Sequence, residues 1–103
     1  MRLEFYQVDR LKKEVLSIIG KYFGHNDYKV FFFGSRVRGN NFERADIDVG
    51  IEGRNPVPVE IKLKIEEELE RIPTLYKFDF VDFKKVANAF KKEALQHIEY
   101  VHC

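Results

Sequence analysis

Cysteine is almost missing from this chain: the one copy is Cys103. An internal disulfide is thereby excluded, and so is a CxxC or Cys/His cluster with the spacing of a zinc site. Charge of one sign is also missing. Eighteen Lys and Arg stand against 17 Asp and Glu, a formal charge of +1. Such a balance gives no strong signal for nucleic-acid or anionic-membrane binding, although a local basic patch stays open. No apolar run approaches the roughly 18 residues of a membrane span, and the Met1–Phe5 start lacks the long apolar stretch of a signal peptide. These absences lead to the expectation of a cytoplasmic protein with no membrane partner. No repeat, low-complexity tract or interdomain linker interrupts residues 1–103, so one compact domain is expected. A second functional surface must then come from a partner or from another copy, and a homo-oligomer stays open. What the chain does contain is a folded composition: 45% hydrophobic and 34% charged residues, with ten Phe and five Tyr to bury.

Hydrophobic spacing divides the chain into elements. Val8, Leu11, Val15, Ile18, Ile19 and Phe23 fall near helical spacing, with Asp9 as a candidate N-cap and Gly24 as a stop. Lys29–Phe33 is a short apolar run closed by Gly34, as expected of a strand buried on both faces. Ala45–Ile51 alternates with period two, placing Ile47, Val49 and Ile51 on one face and Asp46 and Asp48 on the other. Helical spacing returns through Ile61, Ile65, Leu69 and Ile72, within Val59–Ile72, and Pro73 ends it. Tyr76–Phe83 predicts a third strand, and Val86 to about Tyr100 a last helix carrying Phe90, Ala94, Leu95 and Ile98. The expected order is α-β-β-α-β-α: an α+β, two-layer domain with a small mixed sheet and helices packed on one face.

The chemistry concentrates in Gly34-Ser35 at a strand end, followed after ten residues by Asp46-Ile47-Asp48. A strand ending in Gly-Ser allows close backbone approach to a ligand. Its turn N–H groups and the Ser hydroxyl suit phosphate oxygens, and Arg36 and Arg38 add positive charge beside them. Two carboxylates two residues apart on a strand point the same way and suit hard cations, magnesium among them. Alone, Gly-Ser is most often only a turn, and paired aspartates are most often a wet sheet face. Their coincidence weakens both bland readings, because the opposite face of the Asp46–Asp48 strand is plainly core and two like charges side by side call for a counter-ion. His25, His97 and His102 are scattered and read as surface residues. The Lys62–Lys64 and Glu66–Glu68 runs read as the wet side of a helix. Phe31, Phe32 and Phe33 could offer a stacking surface, but the need for buried area favours packing.

Phe33-Gly34-Ser35-Arg36-Val37-Arg38-Gly39 followed by Ala45-Asp46-Ile47-Asp48-Val49 resembles the signature of the minimal nucleotidyltransferases of the DNA polymerase beta-like superfamily. The resemblance spans essentially the whole chain and implies that fold. The family draws a third acidic residue from a later strand. Lys77–Phe83 resembles its hydrophobic-Asp-hydrophobic pattern, which selects Asp79; Asp82 is the alternative under a different register, or else a cap for the final helix. Ala45 stands where a Ser is common, which removes a secondary hydrogen bond and no metal ligand. The resemblance implies that Asp46, Asp48 and Asp79 hold two Mg2+ ions, that Gly34, Ser35, Arg36 and Arg38 bind nucleotide phosphates, and that Asp79 helps deprotonate the acceptor.

Minimal members of this family are typically paired with a small helical HEPN-family partner in toxin–antitoxin modules. The implied function is transfer of AMP from ATP to a hydroxyl, a Tyr of a HEPN toxin, so that this chain acts as antitoxin. Two rivals stand beside it: neutralisation of the partner by occlusion without catalysis, and nucleotidyl transfer to a small hydroxylated molecule.

Overall fold

The computed structural model describes residues 1, 3, 6–34, 37 and 46–102. The elements are α1 (Val8–Ile19), β1 (Tyr28–Phe33), β2 (Ile47–Gly53), α2 (Val59–Glu70), β3 (Phe78–Asp82), α3 (Asn88–Ala94) and β4 (Glu99–His102). The strands form one mixed sheet in the order β3-β2-β1-β4. β1 pairs antiparallel with both β2 and β4, whereas β2 and β3 run parallel. Parallel neighbours need a crossover connection, and α2 provides it.

The sheet has two covered faces. On one, Val30 and Phe32 of β1, Ile47, Val49 and Ile51 of β2 and Phe80 of β3 pack with Leu11, Val15, Ile18 and Ile19 of α1 and Ile65 and Leu69 of α2. Alternation then sends Phe31 and Phe33 to the opposite face, where they join Phe83 under Val86, Ala94, Leu95 and Ile98. β1 is thus buried on both sides, as its apolar run predicts. The expectation of helices on one face describes α1 and α2. The short α3 lies over the other face, tied there by the Lys91–Glu52 ion pair to β2.

Three sequence expectations need correction. The long final helix is wrong: α3 ends at Ala94, and residues 99–102 form β4, which makes the order α-β-β-α-β-α-β. Tyr100 and Val101 favour extended backbone, and pairing with β1 satisfies main-chain groups that a bare sheet edge would leave open. Asp9 does not cap α1; the N-cap position is Gln7, and Asp9 sits in the first turn, where its charge suits the positive end of the helix. α1 also stops before Phe23, because Lys21 and Tyr22 turn inward on i→i−3 bonds to Ile18 and Ile19. Among the described residues no helix is long and apolar enough to cross a membrane.

Candidate active site

β1 and β2 meet so that Phe33 pairs with Asp48, and β2 and β3 meet so that Asp48 pairs with Asp79. Neighbouring strands lie about 4.8 Å apart, so the two carboxylates leave the sheet side by side. Asp46, just ahead of β2, belongs to the same face by alternation. That face is the one covered by α3, because Asp48 alternates with Glu52, the partner of Lys91. Asp48 is half-buried, while Asp46 and Asp79 are exposed.

Asp82 is placed elsewhere. It points to the other face and is 4% exposed. Its Oδ2 accepts the Val57 N–H at 2.8 Å and its Oδ1 accepts the Lys84 N–H at 2.9 Å. It therefore pins the loop before α2 and closes the turn after β3, and it does not cap α3, whose N-cap position is Ala87 with no side-chain cap bond. Asp79, in register with Asp48, is the β3 carboxylate that shares the site face.

Gly34 explains itself by geometry. Its φ is 82°, and a Cβ there would lie 2.0 Å from Asp48 Oδ2 and 3.0 Å from its Cγ. Both the left-handed backbone and the lack of a side chain are required for β1 to end against the Asp48 carboxyl. Ser35, Arg36 and Arg38, the other candidates for phosphate binding, lie outside the described residues.

The electrostatics follow from the crowding. The Asp48 carboxyl is pushed up to about 6, first by burial and then by the negative charges of Asp79 and Asp46. A site that raises a carboxyl in this way is short of positive charge, and oxygen donors of this kind fit a hard divalent cation such as magnesium. Among the described residues, however, no three His, Cys, Asp or Glu side chains stand together in ligating geometry. The carboxylates are nonetheless near enough to feel one another's charge.

Beside Asp48 the structure opens a cavity of about 320 Å³ between the end of β1 and α3, bounded by Phe33, Gly34, Asp48, Phe90, Glu93 and His97. Sequence reasoning missed this wall: Phe90 reads there as a core residue, yet it is 45% exposed, and His97, exposed as its reading as a surface residue expects, borders the cavity as well. The available signal was the spacing of Phe90, Glu93, Ala94 and His97, which puts an aromatic ring, a carboxylate and an imidazole on one side of a helical turn.

Comparison with known proteins bears on the fold and the family. Nothing among curated protein sequences matches the chain. Solved structures do. A toxin–antitoxin crystal structure with AMP-PNP superposes with a TM-score of 0.73 at 12% identity, covering 87% of this chain and 71% of the other. A tri-AMPylated Shewanella oneidensis HEPN toxin in complex with MNT antitoxin gives 0.68 at 12% identity, covering 91% and 71%. A mutant of the toxin–antitoxin MntA–HpeT gives 0.71 at 9% identity, covering 87% and 70%. At such identities the likeness establishes the fold. The sequence itself carries the rest of the assignment: the family model for polymerase beta nucleotidyltransferases matches residues 18–103, the stretch that holds Gly34 and all three site-face aspartates, and the chain therefore belongs to the polymerase beta nucleotidyltransferase family.

Proposed function

We propose that this chain is a cytoplasmic antitoxin that transfers AMP from ATP to a hydroxyl, a Tyr of a small helical HEPN-family partner. The observation that carries the reading is the junction of β1, β2 and β3, where Gly34 at positive φ abuts Asp48 and Asp48 lies level with Asp79. Asp46, Asp48 and Asp79 would hold magnesium, which when bound supplies Lewis acidity at the reacting phosphate and the leaving pyrophosphate.

The chain's own residues do the rest. The left-handed turn at Gly34 lets phosphate oxygens approach the backbone, with Ser35, Arg36 and Arg38 as further phosphate ligands. Asp79, exposed at the outer side of Asp48, accepts the proton of the acceptor hydroxyl as its oxygen forms the new bond to the alpha-phosphorus. The bond from that phosphorus to pyrophosphate breaks in line with the attack. The partner assignment is supported by the kind of complex in which similar folds occur, one of them containing a tri-AMPylated HEPN toxin.

Intact-mass spectrometry of a co-expressed HEPN partner tests the reading. Whole AMP increments with the native chain and none with Asp46→Ala/Asp48→Ala are expected. A partner that is neutralised and co-purified, yet unmodified in both cases, would replace transfer by occlusion. Turnover on a small hydroxylated compound without any protein acceptor would replace the partner instead.

A further inference from the structure

We propose that the cavity between β1 and α3 seats the nucleoside, with the base lying against Phe90 and its edge met by Glu93 and His97. The inference rests on the nucleotidyl-transfer reading and adds to it the residues that select the base.

Position argues first. β2 lies between β3 and β1, so Asp79 flanks Asp48 on one side and the cavity flanks it on the other. In-line displacement puts acceptor and pyrophosphate on opposite sides of the alpha-phosphorus. With the acceptor at Asp79 and pyrophosphate at the Gly34 turn, the ribose and base need a third direction. The cavity offers it, since Gly34 and Asp48 are two of its own walls and Asp79 is not among the described residues that bound it.

The wall chemistry argues second. Phe90 stands edge-on to Phe33, with ring centroids 6.1 Å apart at 89°. Phe83 backs both rings, at 5.1 Å from Phe33 and 5.9 Å from Phe90. This cluster fixes an aromatic surface of which Phe90 remains 45% exposed. The Lys91–Glu52 ion pair holds α3 in place, so the surface is formed in advance. A base needs a π-face and, at its rim, a few polar groups; Phe90 supplies the first, and Glu93 and His97 the second. The volume of about 320 Å³ falls at the small end of ligand sites, which suits a single nucleoside.

The test is equilibrium binding of ATP, GTP and inorganic tripolyphosphate, each with magnesium, to the native chain and to Phe90→Ala, Phe90→Leu, Glu93→Gln and Asp48→Asn. Both Phe90 variants are expected to weaken ATP on the order of ten-fold, the usual effect of losing one base–aromatic stack, and to leave tripolyphosphate unchanged. Glu93→Gln is expected to shift the ATP-to-GTP preference. Phe90→Leu keeps the apolar volume and guards against a packing defect in Phe90→Ala. If Phe90→Leu leaves ATP affinity intact, or weakens ATP and tripolyphosphate equally, the base does not sit here, while loss of ATP binding in Asp48→Asn would leave nucleotidyl transfer standing. If the native chain binds none of the three ligands, both readings fall together.

Discussion

Replacing Asp48 by Asn should make the metal-free protein more stable at neutral pH, even though it removes a residue central to the proposed chemistry. The carboxyl is raised from 3.8 to about 6. Between those values the folded state binds more protons than the unfolded one, so stability falls as pH rises through the window and the full cost is present above it. Two units correspond to about 3 kcal/mol. Asp48 is only half-buried and its two like-charged neighbours are exposed, so solvent and salt screen part of this, leaving about 1–2 kcal/mol. Urea unfolding of the native chain and Asp48→Asn should therefore differ by that amount at pH 7.5 and converge near pH 4. Magnesium should then stabilise the native chain and leave Asp48→Asn unmoved. Equal stability of the two proteins at pH 7.5, or a less stable variant, would show that Asp48 is not under electrostatic strain, and the case for a cation-demanding site would lose its energetic support.

Gly34→Ala forces a side chain onto Asp48 Oδ2 at a φ of 82°; a loss of about 1–2 kcal/mol in chemical denaturation and of partner nucleotidylation by mass spectrometry is expected. Asp82→Ala leaves two buried or half-buried backbone N–H groups, of Val57 and Lys84, without their acceptor, so unfolding free energy should drop by about 2–4 kcal/mol. Asp79→Asn, at an exposed position, should change stability by less than about 0.5 kcal/mol while abolishing transfer, and the opposite pattern for the two aspartates would exchange their roles. Gly50→Ala would set a methyl 2.5 Å from Phe31 and 2.7 Å from Phe83, and thermal unfolding should report overpacking of about 1–3 kcal/mol.

Much of this fold can be read from local pattern because the core strands obey local rules. Phe31, Phe32 and Phe33 leave no wet side, which only an inner strand tolerates, and Ile47, Val49 and Ile51 alternate against the aspartates cleanly enough to orient the site. β4 is invisible for the converse reason. It is four residues long, it follows Phe90, Ala94, Leu95 and Ile98 at helix-like spacing, and its partner β1 lies far back in the chain. Only the open edge of β1, a tertiary fact, makes those residues extended. The choice between Asp79 and Asp82 depends likewise on strand pairing: both follow an apolar residue, and the register with β2 puts one beside Asp48 and the other against Val57. The Phe90–His97 wall escaped notice because α3 was read as seeking the core, whereas its inner side closes over a cavity.

The level pairing of Asp48 with Asp79 also bears on how such a chain tolerates changes of length. Side chains on β3 alternate between the two faces, so a one-residue insertion or deletion within it would swing Phe80, now 2% exposed, toward the carboxylates and drive Asp79 into the apolar layer beneath α2. Chemistry and folding would be lost in the same event. Drift by insertion therefore has no route to a well-folded but silent relative through this strand, and inactive descendants should arise by substitution at the aspartates, with the strand lengths left untouched.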